Sequence, residues 1–253
     1  MGQVIFIGAG PGAADLITVR GMHRLADSQV VLFDALTDPA LRQYAPQARW
    51  VDVGKRGFGP AAAQAAINAR LVREALTHEC VVRLKGGDPS VFGRLEEEMA
   101  ALAAHGIAFE VVPGVTAALA AAADSARPLT RRGRGRSVSL TTAMTRLGTL
   151  QATRSADTEV FYMAGRQLCA LSRKLLAVGW PADSAVCVVS RAGWPDAIVS
   201  SHRIDGLADA AVLHTGRPAV VTVGAGAEVV GANTPSTARQ NLRQPISTRA
   251  RTP

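Results

Sequence analysis

Short apolar runs punctuate this chain, and between them apolar positions recur every three or four residues. The first run, residues 3–7, ends in the glycine-rich turn Gly8-Ala9-Gly10-Pro11-Gly12, after which Leu16, Val19, Met22 and Leu25 follow helical spacing. Residues 29–33 do not alternate, which predicts a strand buried on both faces. Residues 61–76 predict a helix, 80–84 another buried strand, 96–104 a helix, 109–112 a strand, and 115–123 a helix leaving this unit. Strands alternating with helices predict a mostly parallel sheet with helices on both faces.

Around residues 127–136 the composition shifts to Pro, Gly and Arg, the pattern of a linker. Beyond it, strands are predicted over 137–142, 159–163, 185–189, 198–204 and 219–223, with a helix over 169–178. Neighbouring strands with no long helix between them imply some antiparallel pairing. The expected organisation is an N-terminal α/β domain over residues 1–126, a linker over 127–136, a C-terminal mixed α/β domain over 137–231, and a disordered basic tail over 232–253.

At 253 residues, 48% of them apolar, the chain is long enough for a sizeable core. No window approaches 18 uninterrupted apolar residues, so no membrane span is predicted. The N-terminus enters a strand without the charged and apolar segments of a secretion signal, which predicts a cytoplasmic protein. Cys80, Cys169 and Cys187 lie far apart in apolar contexts and read as buried, reduced thiols. The five histidines show no ligand spacing, and no metal is expected. The net charge is +8, but Arg239, Arg243, Arg249 and Arg251 place half of it in the tail. The remaining excess suits an anionic ligand without identifying one. The Arg-Gly run over 131–136 leaves RNA open, yet no aromatic platform accompanies it, so nucleic acid is not the expected partner.

Gly8-x-Gly10-x-x-Ala13 after a strand, with Asp34 ending the next, satisfies a dinucleotide-binding spacing. Pro11 counts against it by removing one backbone N–H from the loop that would cradle a phosphate. A tight strand-to-helix turn needs the same glycines, so the loop alone leaves both readings open.

Five ordered blocks resemble the tetrapyrrole methylase family, and most nearly its uroporphyrinogen-III C-methyltransferase branch. They are the segment from Val4 through Gly12 with Leu16-Ile17-Thr18, then Val53-Gly54-Lys55-Arg56, Arg83-Leu84-Lys85-Gly86-Gly87-Asp88-Pro89, Val91-Phe92-Gly93-Arg94, and Val112-Pro113-Gly114-Val115-Thr116-Ala117-Ala118. Weaker echoes are Pro128-Leu129-Thr130, Tyr162-Met163 and Pro218-Ala219.

The resemblance implies two α/β domains of the class III methyltransferase type, with the active site in the cleft between them. It implies S-adenosylmethionine as cofactor, touched by Pro11, Gly86, Gly87, Asp88, Val91, Thr116, Ala117 and Met163, with Ala192 a looser match. It assigns Asp34 as proton acceptor, Lys55 as donor, and Arg94 and Glu97 to substrate handling. Its substrate would be an anionic tetrapyrrole, methylated at C-2 and C-7 to precorrin-2, with Arg56, Arg131 and Arg132 meeting carboxylates. A homodimer is implied as well. The sequence departs from the family at Ala35, Arg131, Met144 and Ala197, where an Arg, two His and a Gln are usual, and at Leu95-Glu96 in place of two glycines. Those losses leave three readings open: arginines that compensate, another corrinoid or RNA substrate, or a non-catalytic member that binds cofactor or tetrapyrrole.

Overall fold

The computed structural model describes residues 2–54, 60–144 and 148–231, the side chains of 60–63 excepted. Lys55, Arg56 and the tail expected over 232–253 lie outside the described residues.

The first half forms a five-stranded sheet of β1 (Gln3–Gly8), β2 (Val30–Phe33), β3 (Arg49–Asp52), β4 (Cys80–Lys85) and β5 (Ala108–Val112). Its spatial order is β3-β2-β4-β1-β5, and every pair is parallel. All five carboxyl ends therefore open on one side, the side where ligands bind in open α/β sheets. The run in β1 divides by alternation. Ile5 and Ile7 pack with Leu25 of α1 (Val19–Ala26), while Val4 and Phe6 pack with Leu71 and Leu102 of α2 (Pro60–Thr77) and α3 (Leu95–Ala103). Each such fully buried side chain contributes about 2 kcal/mol on removal from water. Strand β3 was not expected. It lies at the edge, half-exposed along its length, so it lacks the apolar run that marks its neighbours.

The second half contains α4 (Ala117–Ser125), β6 (Val138–Thr142), β7 (Thr158–Tyr162), α5 (Leu168–Ala177), β8 (Ala185–Ser190), β9 (Ile198–Arg203), α6 (Ala210–His214) and β10 (Ala219–Gly224). Its sheet runs β6-β7-β10-β8-β9, with β6 and β7 parallel and the other pairs antiparallel, the mixed pairing expected. Helices α5 and α6 cover one face through Leu168, Leu171, Leu175 and Ala210. Helix α4 covers the other, setting Ala118, Ala120 and Ala121 against Val160, Cys187, Val189 and Val220. By packing, α4 thus sits with the second sheet, and the crossover from the first falls at residues 113–116, ahead of the expected linker. The alanines let helix and sheet approach closely.

The Ala13 amide ties the halves together by donating to the Gly193 carbonyl at 3.0 Å, and within the second half the Gly193 amide is anchored by Asp124 Oδ2, at the end of α4, at 2.7 Å.

Candidate active site

The loops leaving β1, β4 and β5 meet backbone to backbone. Gly10 and Gly87 form a bridge, with the Gly87 amide donating to the Gly10 carbonyl at 2.7 Å. A Cβ at Gly114 would lie 2.4 Å from the Gly87 oxygen and 2.7 Å from Gly8 Cα, so no side chain fits where the three loops touch. Gly87 itself has φ +73, yet a Cβ there would meet nothing closer than 3.9 Å, beside Thr116 and Ala117. Its open side faces the start of α4. Asp88 sustains this arrangement: Oδ1 accepts from the Ser90 amide at 2.8 Å and Oδ2 from the Gly114 amide at 2.8 Å. The sequence offered Asp88 as a carboxylate for hydroxyls or an ammonium group; in the fold it first joins the β4 and β5 loops.

The opposite wall comes from the second sheet. Tyr162, ending β7, bonds Thr116 Oγ1 at 2.6 Å and accepts from the Ala118 amide at 3.1 Å, while its ring lies 5.0 Å from that of Phe92. Phe92, Arg94, Met163 and Arg191 are all non-glycine residues at positive φ, between 51 and 60. Such conformations persist where surrounding contacts enforce them and cluster at ligand sites. Met163 is 55% exposed, a large apolar side chain left open beside Tyr162. Pro11 faces Gly193, Val91 is half-buried and donates its amide to Asp88, and Ala192 is buried in the core beneath α4, so any ligand contact it makes is through its backbone.

Asp34 follows β2, in the loop whose Leu36 Cβ lies 3.1 Å from where a Cβ on Gly86 would sit. Its Oδ1 accepts from Arg83 Nη2 at 2.8 Å. Arg83 also reaches Glu98 Oε1 at 3.2 Å, and Glu98 Oε2 takes Lys85 Nζ at 3.0 Å. Burial opposes the Arg83 charge, but Asp34 and Glu98 outweigh it and hold the guanidinium firmly protonated. Burial, then the Arg83 charge, push the Lys85 ammonium below its ordinary value despite Glu98. The sequence reading gave Arg83, Lys85 and Glu98 no role. Their signal was there: Arg83 and Lys85 occupy inward positions of a buried strand, and Glu98 stands one turn before the buried Leu102.

Arg94 and Glu97 are brought together, joined by two bonds of 2.6 Å at the start of α3 beside this network. Arg131 and Arg132 are not brought to the cleft. The turn they head packs against Ala225 and Glu228 just beyond β10, and Gly224 of β10 pairs with Thr158, the start of β7. The length of β7, roughly 16 Å, therefore separates them from Met163. Arg191, stacked 4.4 Å over Trp194, and Arg217, bonded to Asp196, are cations at the nearer ends of β8 and β10 that sequence reasoning missed. Among the described residues no His, Cys, Asp and Glu cluster suited to a metal occurs.

The family description for tetrapyrrole (corrin/porphyrin) methylases matches residues 3–208. Uroporphyrinogen-III C-methyltransferase of Pseudomonas aeruginosa is 42% identical over 195 residues, covering 76% of this chain and 80% of that protein. Siroheme synthase of Gluconacetobacter diazotrophicus is 41% identical over 231 residues, 88% of this chain but 49% of that protein, so the chain spans about half of the longer relative. The structure of uroporphyrin-III C-methyl transferase from Thermus thermophilus complexed with S-adenyl homocysteine superposes with a TM-score of 0.78 at 35% identity, covering 88% of this chain and 97% of that one.

Proposed function

The chain belongs to the tetrapyrrole (corrin/porphyrin) methylases, and on that premise we propose that it methylates uroporphyrinogen III at C-2 and C-7 to give precorrin-2, for sirohaem or cobalamin synthesis. The observation that carries this reading is the meeting of the three glycine loops, the start of α4 and Tyr162 at the carboxyl end of a parallel sheet, with Asp34 alongside.

The residues present fit S-adenosylmethionine. The space beside Gly87 is bounded by backbone and by Thr116 and Ala117, and Pro11 withholds an amide that a pyrophosphate would need. When bound, this cofactor supplies a sulfonium methyl that a pyrrole carbon attacks. Gly86 and Gly87 admit the ligand close to the backbone, while Phe92, Tyr162 and Met163 shield the reacting atoms from water. Asp34, one oxygen held by Arg83, accepts the proton released from the methylated carbon. Arg94, oriented by Glu97, meets a substrate carboxylate at the cleft mouth, with Arg191 and Arg217 as further cations. The expected donor Lys55 and its neighbour Arg56 complete the assignment.

The same reading places the protein in the cytoplasm as a homodimer. Among the described residues no helix is long and apolar enough to cross a membrane. Exposed Phe92 and Phe109 flank a groove of about 630 Å³ between α3 and β5, an apolar surface consistent with association.

The test is an anaerobic assay with uroporphyrinogen III and S-adenosylmethionine, following product by absorbance and mass. Two added methyl groups are expected, with Asp34→Ala lowering the rate about a hundredfold or more. Cofactor binding without any methylated product would keep the family and remove the named substrate.

A further inference from the structure

Arg83, Lys85, Glu98 and Asp34 form one alternating chain of charges beneath α2 and α3, two cations and two anions. Arg83 is 2% exposed, Lys85 3% and Glu98 0% at the side chain, whereas Asp34 is 32% exposed. The network therefore runs from the interior to a single outlet, the carboxylate at the end of β2. Gln64 of α2 adds a hydrogen bond to Glu98 Oε1 at 3.2 Å, and Arg83 Nη1 donates to the Leu84 carbonyl at 3.0 Å. Every side of the guanidinium plane is thus fixed, and no further hydrogen-bond partner of the Asp34 carboxylate occurs among the described residues.

We propose that Arg83 is a positioning residue for Asp34: clamped in place by Glu98, it holds Oδ1 and leaves Oδ2 directed to the cleft as the proton-accepting oxygen. The proposal rests on the assignment of Asp34 as proton acceptor. A core ion cluster built for stability alone needs no half-exposed member, and a buried apolar cluster would serve stability as well or better. Here Asp34 is the exposed member, and it stands beside the glycine pair of the candidate cofactor site. The planar fork of arginine reaches two carboxylates at once, whereas a lysine ammonium at the same place would have to choose one. Lys85 relieves Glu98 of unbalanced charge, so Arg83 is not drawn away from Asp34.

A double-mutant cycle tests this, with single-turnover methyl transfer to uroporphyrinogen III as the rate, cofactor affinity by calorimetry and folding by thermal melting. Asp34→Ala, Arg83→Met and the combined variant are compared with wild type. Arg83→Met is expected to lower the rate about tenfold while cofactor affinity stays within about twofold, and the combined variant to be no slower than Asp34→Ala alone. Rate losses that multiply in the combined variant, or a loss of cofactor affinity that matches the loss of rate, would overturn the proposal, because Arg83 would then act on the fold. Should Arg83→Met fail to fold, Arg83→Lys keeps the buried charge; it is expected to melt near wild type with the same loss of rate, and a wild-type rate overturns the proposal. A wild-type rate in Asp34→Ala identifies a different failure, that of the acceptor assignment on which the proposal stands.

Discussion

At the scale of single residues, two glycines in the same loop cluster are there for different reasons, and substitution separates them. At Gly114 the obstacle is space. An added Cβ would lie 2.4 Å from one backbone atom and 2.7 Å from another, and neither belongs to a side chain that can swing away. At Gly87 the obstacle is conformation: φ is +73, but the added methyl would find open space. Gly114→Ala is therefore expected to cost about 3 kcal/mol or more of stability, since the β1, β4 and β5 loops must part. Gly87→Ala is expected to cost about 1–2 kcal/mol, the left-handed penalty, and to weaken cofactor binding out of proportion, because its methyl enters the cleft. Chemical denaturation with calorimetry on S-adenosylhomocysteine checks both; equal stability losses would refute the distinction. The motif announced that glycines stand here. It did not announce which one is steric, because that depends on a contact between residues far apart in sequence.

At the scale of elements, α4 draws its N-terminal support from a distant strand. Thr116 is its N-cap, but the Thr116 hydroxyl makes no cap bond and turns to Tyr162, whose hydroxyl receives the Ala118 amide. Tyr162→Phe should thus destabilise the protein by about 1 kcal/mol, the worth of a lost cap, and raise the cofactor Kd through the displaced Thr116 and Ala117. Unchanged melting and affinity in that variant would show that the hydroxyl is not what holds α4. Most elements were legible from periodicity, because both sheets bury both faces and strands such as β1 and β8 read as apolar runs, with β4 apolar except at Arg83 and Lys85. The edge strand β3 and the five-residue α6 were not, since neither is long enough or buried enough to leave a period. The clustering of Asp34 with the glycine loops was implied by parallel topology. The removal of Arg131 and Arg132 to the far end of the second sheet was not, because a linker composition does not say at which end of a sheet the chain re-enters.

For the whole molecule, stability is set to fall with pH in two separate steps. His214, ending α6, is fully buried; its Nε2 bonds Ser200 at 2.8 Å, its Nδ1 has no partner among the described residues, and Ser200 also meets His202. Burial, with the charges of His202 and Arg217, pushes the His214 imidazole below its ordinary 6.5. As pH falls through 6.5 the unfolded chain takes up a proton that the folded one refuses, so stability declines there, until the folded value is itself passed. Glu74 and Glu159 act lower. Burial raises both, but Arg70 and Arg49 around Glu74, and the Ser155 amide and hydroxyl with Thr153 around Glu159, outweigh it and hold both carboxyls below their ordinary 4.5. Their stabilisation is whole above 4.5 and is lost as pH falls through the folded values. Thermal unfolding at fixed ionic strength should therefore show the melting temperature dropping as pH falls through about 6.5 and dropping further below about 4.5. His214→Gln, which offers Ser200 an amide and cannot titrate, should erase the upper step and spare the lower one. Glu159→Gln should spare the upper step and shrink the lower one to the part that Glu74 carries, at a cost of about 2 kcal/mol at neutral pH from weakened hydrogen bonds. A wild-type melting temperature that is flat from pH 7.5 to 5.5 would remove His214 from this account, and an upper step surviving in His214→Gln would assign it to another group.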